Sequence, residues 1–419
     1  MRIAIIGCGP AGLFAASALH DNHFDVSLFE KFTEPAPVGS GLVLQPTGLA
    51  MLEAIGLRAK AESLGQRIDR MSGKLAPDGK TVLDIQYRAL AEDLYGVAIH
   101  RSALFHILYD AVTTRRIPIE TNCHVLRTEV LQNQALRLVT KNNAAYSTEF
   151  DLVIDASGAN SSVLQATFPQ LSKSDLSFGA LWTTVLLHSF LPTTLEQRYV
   201  GARKMIGVLP CGTLAEPAHM PNHQEESGEN QLATLFYSIE GKNLNQWRES
   251  GLHVWKKEMT TLWPETEPLV AQITDINQLT YAAYSHHTLK PPYKDGVVFI
   301  GDTAHATSPQ LGQGANMALL DGLALAIALT ENRTNLQQAL KRYTRLRRAH
   351  VSTYQTVSYL LTPFYQSNSS LLPFLRDTFF EPVTSIGFMN RFITRLGAGM
   401  LGNPATALVS QFNKSKGHQ

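Results

Sequence analysis

The chain has 419 residues, of which 36 are Lys or Arg and 35 are Asp or Glu, so its formal net charge is only +1. This balance excludes a strongly basic protein, and we expect no nucleic acid as a partner. Hydrophobic residues make up 44% of the chain and charged residues 17%, which is typical of an ordinary globular protein. The length predicts two domains, or one large domain with an insertion.

The cysteines and the hydropathy pattern predict where the protein works. Cys8, Cys123 and Cys211 are too widely spaced to indicate a disulfide framework or a zinc site. We therefore expect a reduced, cytoplasmic setting and no bound metal. The apolar run after Met1 is too short for a signal peptide, and no stretch of about 18 apolar residues predicts a membrane span.

The amino end, RIAIIGCGPAGLFAASALH, predicts a nucleotide-binding turn. The apolar run Arg2–Ile6 is typical of a buried parallel strand, and Gly7, Gly9 and Gly12 follow it with the spacing G-x-G-x-x-G. In this pattern the first glycine allows a tight turn, the second lets a pyrophosphate approach the backbone, and the third lets the helix pack close to the strand. The N-terminus of that helix attracts phosphate through its free N–H groups.

An acid follows at the expected distance. Asp25–Phe29 is predicted as the second strand, and Glu30 ends it, about 20 residues after the glycines. A carboxylate at this position binds ribose hydroxyls and disfavours a 2′-phosphate. We therefore expect FAD or NAD, rather than NADP, as the tightly bound nucleotide.

Two later segments also consist of an apolar strand followed by small or polar residues. The first is DLVIDASGANSSV, residues 151–163. The second is GVVFIGDTAHATSPQLGQGANMALLDGLALA, residues 296–326, which ends as an Ala- and Leu-rich helix. The residues that bend the chain or carry functional groups in this second segment are Gly301, Asp302, Pro309, Gly312, Gly314 and Asn316.

The three segments, in this order, resemble those of the single-component FAD-dependent monooxygenases, the flavoprotein aromatic hydroxylases and their ubiquinone-pathway relatives. The resemblance covers most of residues 1–350. It implies an α/β fold with a Rossmann-like FAD-binding domain of the glutathione-reductase type, an inserted antiparallel β-sheet substrate domain and C-terminal helices. The expected FAD-binding domain is 1–75, 97–175 and 280–330, the substrate domain 76–96 and 176–279, and the helical region 331–419.

The resemblance also implies which residues hold FAD. Asp302 would hydrogen-bond the ribitol chain, with a helix N-cap as the alternative role. The helix that begins near Gly314 would stabilise the negative charge of reduced flavin. Arg101, in an R-x-x-L pattern at the start of an amphipathic helix, would contact the cofactor or remain a solvated cation. The implied cofactor residues are Gly7, Gly9, Pro10, Ala11, Gly12, Glu30, Lys31, Gly41, Leu42, Arg101, Val125, Gly301, Asp302, Pro309, Gly312, Gly314, Ala315 and Asn316.

The activity that the resemblance implies is hydroxylation of an aromatic or quinone-like small molecule. NADH or NADPH would reduce FAD, and O2 would then form the flavin C4a-hydroperoxide that transfers one oxygen atom. No catalytic acid or base is assigned, and His305 either lies at the flavin or only structures its loop. The alternatives are an FAD-dependent reductase or dehydrogenase of a prenyl or polyketide-type substrate, and a non-catalytic FAD-binding redox sensor.

The second segment departs from the family pattern. The family usually has Ala-Asp-Gly where this chain has Ala156-Ser157-Gly158, and an arginine where it has Leu164. Serine is neutral and shorter than aspartate, and the missing arginine removes a phosphate partner. We expect the departure to affect the nicotinamide step, and it favours the reductase alternative. Asp155 either compensates or simply ends the strand.

The region from 176 to 285 predicts the substrate sheet, because LSFGALWTTVLLHSF and QLATLFYSI are typical of strands. The polar loop from Cys211 to Gln231 is either a lid or a surface excursion. His286 and His287 are adjacent on a predicted strand and point to opposite faces, so they do not form a metal site. The candidates for contact with the substrate are Trp182, Thr184, Phe236 and Tyr237.

The chain after residue 331 is predicted to be helical. Aromatic residues and leucines alternate there with a few arginines, as in LTPFYQSNSSLLPFLRDTFF. Such helices either cap the FAD-binding domain or make a peripheral contact with a membrane surface. No pattern in the sequence predicts an oligomeric state.

Overall fold

The computed structural model describes residues 1–34, 40–141, 146, 148–187, 192–213, 231–384, 386–402 and 404–417. The loop predicted between Cys211 and Gln231 falls largely on residues 214–230, so the lid hypothesis lies outside the described residues. The strands are β1 (Arg2–Ile6), β2 (Asp25–Phe29), β3 (Gly41–Leu44), β4 (Gln66–Ile68), β5 (Arg70–Leu75), β6 (Thr81–Gln86), β7 (Gly96–His100), β8 (Ile119–Glu120), β9 (Val125–Val130), β10 (Leu136–Thr140), β11 (Leu152–Asp155), β12 (Ser174–Asp175), β13 (Phe178–Leu186), β14 (Thr194–Val200), β15 (Lys204–Gly212), β16 (Leu232–Glu240), β17 (Thr280–Ala282), β18 (Ser285–His286), β19 (Tyr293–Lys294) and β20 (Val297–Phe299).

The helices lie between the strands and fill the last part of the chain. They are α1 (Pro10–His20), α2 (Pro46–Ala54), α3 (Arg58–Leu64), α4 (Arg101–Thr114), α5 (Ser162–Thr167), α6 (Leu244–Ser250), α7 (Leu252–Leu262), α8 (Glu267–Ala271), α9 (Asp302–His305), α10 (Gly314–Glu331), α11 (Leu336–Tyr365), α12 (Leu371–Thr384), α13 (Gly387–Gly397) and α14 (Ala405–Gly417). The predicted strands at the amino end and the predicted helix after residue 331 are confirmed.

A six-stranded sheet with the order β19-β20-β11-β1-β2-β8 forms one half of the fold. β1 pairs in parallel with β2 and β11, and β11 pairs in parallel with β20. The carboxyl ends of these strands therefore lie along one edge, which is the edge where open parallel sheets bind ligands. The apolar runs predicted as buried strands are buried, with Ile3, Ala4 and Ile5 at 0% exposure.

A seven-stranded sheet with the order β17-β13-β16-β15-β14-β5-β6 forms the other half. Its neighbours pair antiparallel, except that β14 pairs in parallel with β5. Side chains alternate between the two faces. One face packs on the helices α7 and α8 through an apolar cluster that contains Leu235, Trp255 and Leu269.

The strand pairing differs from the predicted domain boundaries at two points. β5 falls within 1–75, predicted as cofactor domain, but it pairs with β14 in the seven-stranded sheet. β17 falls within 280–330, also predicted as cofactor domain, but it pairs with β13. Each strand is short, and its partner is distant in sequence, so local composition gives no indication of the sheet to which it belongs. The rest of the domain division stays a prediction.

α10 is the central helix of the core. By length and composition it could cross a membrane, but 78% of the relevant stretch is buried inside the protein. It packs between α1 and α11, and Gly322 lies so close to Phe14 that an ideal Cβ would be 2.7 Å from the ring. α11 leads to α12 and α13, which pack on β6. The exposed large apolar side chains of these helices are Tyr359, Leu360, Leu371, Phe374, Phe379, Val383, Phe388 and Phe392.

Candidate cofactor and substrate site

The three segments singled out in the sequence meet at the carboxyl edge of the six-stranded sheet. Gly7 follows β1, Ala156 follows β11 and Ile300 follows β20, and these strands are neighbours. Ala156 donates its N–H to the carbonyl of Ile6 at 2.9 Å, and Ile300 donates to that of Asp155 at 3.1 Å. The strand ends thus place residues that are distant in sequence around one space.

Close backbone contacts fix these segments against one another. Gly7 has φ +102°, and an ideal Cβ on it would lie 2.8 Å from the carbonyl oxygen of Ala156. Gly301, with φ +61°, lies between Ala11 of α1 and Ala318 of α10. An ideal Cβ on Gly301 would be 3.2 Å from the Cβ of Ala11 and 3.4 Å from that of Ala318. A larger residue at Gly7 would require a shift of the backbone, and at Gly301 it would be strained by the positive φ. These are the positions where the sequence pattern requires glycine.

Glu30 is 8% exposed, and its carboxylate closes the glycine turn. Oε2 accepts the backbone N–H of Cys8 at 2.8 Å, and Oε1 accepts those of Lys31 at 2.8 Å and Phe32 at 3.3 Å. A carboxylate has about four acceptor sites, so Glu30 can still accept a ribose hydroxyl. The sequence pattern indicates the ribose contact, whereas the role in shaping the turn becomes visible only in the structure.

Asp302 begins α9 and has an exposed side chain. Its Oδ1 lies 3.8 Å from an ideal Cβ on Gly314, the first residue of α10. The carboxylate and the N-terminal N–H groups of α10 therefore face the same space. Ideal Cβ atoms on Gly9 and Gly312 would meet nothing within 4 Å, so the backbone is open at both residues.

This arrangement, which is bounded by Gly9, Glu30, Asp302 and Gly312 and is called the FAD cradle below, fits FAD. The open backbone at Gly9, together with the N-terminus of α1, suits a pyrophosphate. The open backbone at Gly312 suits a flat ring. The carboxylate oxygens of Glu30 and Asp302 can accept hydrogen bonds from the hydroxyl groups of a ribose and of a ribitol chain, respectively.

Asn316 holds the backbone around the open space at Gly312. Its side chain is fully buried, Oδ1 accepts the N–H of Gln45 at 2.8 Å, and Nδ2 donates to the carbonyls of Val43 at 3.0 Å and Gly312 at 3.1 Å. Both amide N–H groups are used within the protein. Asn316 therefore ties α10 to the connection between β3 and α2, and any contact with a flavin ring would use the backbone that it fixes.

The altered second segment is organised by Asp155, which is fully buried at the end of β11. Its Oδ1 accepts from the N–H of Ser157 at 3.0 Å and from the hydroxyl at 2.6 Å, and its Oδ2 accepts from the hydroxyl of Ser161 at 2.5 Å. Burial raises the pKa of Asp155, and these hydrogen bonds oppose the rise. Ser157 therefore donates two hydrogen bonds to the buried carboxylate of Asp155. It is suited to this role because its side chain is short and neutral.

A buried charged cluster lies beneath α9 and α10. The carboxylate of Asp321 accepts from the backbone N–H of Gly301 at 2.8 Å, from Nε2 of His305 at 2.6 Å and from Nε of Arg347 at 2.6 Å. Burial alone would raise the pKa of Asp321, but His305 and Arg347 outweigh it and hold the pKa well below its usual range. His305 therefore structures the loop. Sequence reasoning missed Asp321 and Arg347, because both lie within long helices with no local motif.

His100, the last residue of β7, connects the three-stranded sheet β3-β7-β4 to the seven-stranded sheet. The backbone N–H of Ser102 donates to Nδ1 of His100 at 3.3 Å, so Nδ1 is an acceptor and Nε2 carries the proton. Nε2 then donates to Oγ1 of Thr184 on β13 at 3.1 Å. Burial, and then the charge of Arg101, lower the pKa of His100 to about 4, which keeps the ring neutral. Arg101 itself is exposed at the start of α4.

A cleft of 620 Å³ lies next to the residue that follows Glu30. Lys31, Glu120 and His124 contribute to its lining. Val125, predicted near an adenine, is 3% exposed at the start of β9 and follows this lining directly. The position suits the adenosine end of a dinucleotide.

The four predicted substrate residues do not share one face of the seven-stranded sheet. Trp182 and Phe236 are paired across β13 and β16, on the same face as Thr184. Tyr237 lies on the opposite face, is 5% exposed and packs edge-on against Trp255 at 6.2 Å. Its predicted contact with substrate is therefore wrong, because adjacent strand residues point to opposite faces and this one faces the helices.

The adjacent histidines point in different directions. His286 packs edge-on against Tyr359, with ring centroids 5.8 Å apart, and Nε2 of His287 donates to the carbonyl of Thr303 at 3.0 Å. No group of three or more metal-ligating side chains occurs in the part of the chain that the structure describes.

Comparison with known families agrees with this site. The model of the FAD binding domain family matches residues 1–357. The matched range contains the glycine turn, the strand that ends at Asp155 and the complete segment from β20 through α10. It continues through most of α11, which carries Arg347.

Individual relatives are distant but similar over most of their length. The chain is 26% identical to 3-amino-4-hydroxybenzoate 2-monooxygenase of Streptomyces cremeus over 83% of each chain. It is 23% identical to 6-hydroxynicotinate 3-monooxygenase of Pseudomonas fluorescens, over 85% of this chain and 90% of the relative. The structure of Klebsiella pneumoniae HpxO complexed with FAD and uric acid has a TM-score of 0.76 at 16% identity, over 95% of this chain and 97% of that one.

Proposed function

The chain belongs to the FAD binding domain family and is an FAD-dependent monooxygenase, and from this premise we propose that it hydroxylates a small aromatic or quinone-like molecule with NADH or NADPH and O2. One oxygen atom enters the substrate, the other leaves as water, and the nicotinamide supplies the two electrons. The observation that carries the proposal is the open backbone at Gly312, which Asn316 ties to Val43 of β3. Gly41 of the same strand donates its N–H to Oγ1 of Thr234 on the seven-stranded sheet.

FAD, when bound, supplies the redox chemistry. The protein binds FAD, stabilises the charge of its reduced ring, and shields and orients the substrate. We assign the phosphates to the N-terminus of α1 and to Arg101, and the ribose to Glu30. Asp302 takes the ribitol chain, and the N-terminus of α10 stabilises negative charge on the reduced ring. The face of the seven-stranded sheet excludes water and orients the aromatic ring.

We further propose that the FAD-binding half is of the glutathione-reductase type, which the parallel order β20-β11-β1-β2 supports. A cytoplasmic location is proposed as well. It is supported by Cys8, Cys123 and Cys211, which are free and buried, as expected for a protein kept in a reducing compartment.

The function is tested with purified holoenzyme. We expect a flavin absorbance that NADH or NADPH bleaches in the absence of oxygen, faster when an aromatic ligand is present. Readmission of ¹⁸O2 should restore the absorbance and yield a product that contains one ¹⁸O atom by mass spectrometry. A flavin that neither donor bleaches, with or without aromatic ligands, would instead identify an enzyme reduced by a partner or a redox sensor.

Peripheral contact with a membrane stays a prediction for α12 and α13. Phe388 and Phe392 are 71% and 48% exposed on α13, and Arg391 and Arg395 are exposed beside them. Aromatic side chains flanked by arginines are suited to an anionic lipid surface. We expect the protein to sediment with vesicles of phosphatidylcholine and phosphatidylglycerol, and the double variant Phe388→Ser/Phe392→Ser to stay in the supernatant. Val254→Ser, at an apolar residue of α7 that is 53% exposed, should sediment as the unchanged protein does; equal loss in both variants would contradict the assignment.

A further inference from the structure

The face of the seven-stranded sheet that looks toward the FAD cradle carries no Lys or Arg in its described strands. Two contacts define this face: His100 donates to Thr184, and the N–H of Gly41 donates to Oγ1 of Thr234 at 2.8 Å. Strand pairing extends it from Trp182 and Thr184 across Phe236 and Gly207 to Gln197 and Gly73. The ring of Phe236 lies over Gly207, where an added Cβ would overlap it. The part of this face around Thr184 therefore carries aromatic side chains, those of Trp182 and Phe236.

The cations of these strands lie on the other face. Arg198 stacks on Trp263 with its guanidinium 4.3 Å from the ring centroid, and Arg70 pairs with Asp84 at 2.6 Å. Lys204 pairs with Glu258 of α7. The charged residue on the cradle side is an acid, Glu240, at the last position of β16.

A cation of a neighbouring helix that lies against this face is already paired. Arg376 of α12 lies over Tyr199 at 5.0 Å, but its NH groups donate to the carbonyls of Phe364 and Gly201 and to Asp377. The sequence of residues 188–191 and 214–230 contains no Lys or Arg. Arg101 follows His100, the residue that contacts Thr184, and the proposed function assigns Arg101 to FAD phosphate.

Thr184 supplies a directed hydrogen-bond donor on this face. Its Oγ1 accepts the proton of His100 Nε2, so the hydroxyl proton remains available for another acceptor. The side chain is half-buried. A ligand oxygen that lies on the ring of Phe236 or Trp182 could accept it.

We propose that the substrate is an uncharged aromatic molecule that carries an oxygen substituent on its ring, and that this oxygen accepts a hydrogen bond from Thr184. Aromatic carboxylates are then poor ligands. An anionic group on this face would lose water without gaining a cation, which is strongly unfavourable. An uncharged ring gains apolar contact and one directed hydrogen bond. The inference rests on the proposed function, because it takes the cradle as the FAD site.

The test is a titration of oxidised holoenzyme followed by the change in flavin absorbance, which reports binding without turnover. The probes are 3-ethylphenol, 3-hydroxybenzoate of similar size, and ethylbenzene, which lacks the oxygen. We expect 3-ethylphenol to bind at least about tenfold more tightly than 3-hydroxybenzoate. Tighter binding of 3-hydroxybenzoate would overturn the proposal and implicate Arg101 in substrate binding.

Two variants test the hydroxyl. Thr184→Val keeps the shape but removes the hydroxyl, which is both the donor to the ligand and the acceptor of His100 Nε2. It should weaken 3-ethylphenol about fivefold, and unchanged binding of ethylbenzene then shows that loss of the His100 contact does not disturb the site. Thr184→Ser keeps the donor and should bind 3-ethylphenol as the unchanged protein does. Equal affinities of all three proteins for 3-ethylphenol would remove Thr184 from the site.

FAD content and bleaching by NADH or NADPH are measured on the same samples. Failure of the proposed function then shows as missing or unreducible flavin, whereas failure of this inference leaves both FAD content and bleaching intact.

Discussion

Replacement of Asp321 by asparagine is expected to lower the free energy of unfolding by about 3–5 kcal/mol, because it leaves the buried charge of Arg347 without its counter-ion. Arg347 is 2% exposed and Asp321 is 0% exposed, so water does not take over the lost interaction. The new amide would also direct an N–H group toward at least one of three donors, from Gly301, His305 and Arg347. Urea denaturation of the FAD-free protein measures the change.

A pair between the same two helices provides the matched control. Arg342 of α11 pairs with Glu331 of α10 at 2.8 Å, but these side chains are 27% and 38% exposed. Arg342→Gln should therefore cost at most about 1 kcal/mol. If Asp321→Asn were no less stable than Arg342→Gln, the buried cluster would contribute nothing that an exposed pair does not. Asp321→Asn should also retain less FAD, because Asp321 fixes the backbone N–H of Gly301 next to Asp302.

Local patterns in the sequence predicted the strands and turns that surround the cofactor site. Gly7 and Gly301 are recognisable because both have a positive φ that strains other residues, and at Gly7 the backbone of Ala156 also leaves no room for a Cβ. Glu30 is recognisable because the length of one strand–helix–strand unit fixes its distance from the glycines. In each case the physical requirement acts within one short segment.

The remaining features depend on contacts between distant segments. Asp321 and Arg347 look like ordinary helix residues until α10 and α11 pack together. The hydrogen bond from His100 to Thr184 joins two sheets, so neither residue carries a local signal. Whether Tyr237 points toward the substrate or toward the core depends on which side of the sheet the helices α7 and α8 cover. The alternation of side chains along one strand does not show which side that is. The same ambiguity hid the absence of cations on the cradle side of the described strands.

Glu30 and Asp302 are expected to give different results although both are carboxylates assigned to FAD. Glu30→Ala removes the acceptor for three backbone N–H groups, so the FAD-free protein should lose about 1–3 kcal/mol of stability and FAD should bind about 100-fold more weakly. Asp302→Ala removes an exposed carboxylate, so FAD should bind about 10-fold more weakly while the FAD-free protein stays within about 0.5 kcal/mol of the original. Quenching of FAD fluorescence measures the affinity, and urea denaturation measures the stability.

Asp25 provides the control, because it is an exposed carboxylate at the opposite end of the strand that Glu30 follows. Asp25→Ala should change neither FAD affinity nor stability. Full retention of FAD in both Glu30→Ala and Asp302→Ala would refute the placement of the cofactor between them. A loss of affinity in Glu30→Ala without a loss of stability would mean that the bonds to Cys8, Lys31 and Phe32 are dispensable, so that the carboxylate acts on the ribose alone. The difference between the two variants therefore separates a residue that builds the cradle from one that only binds what it holds.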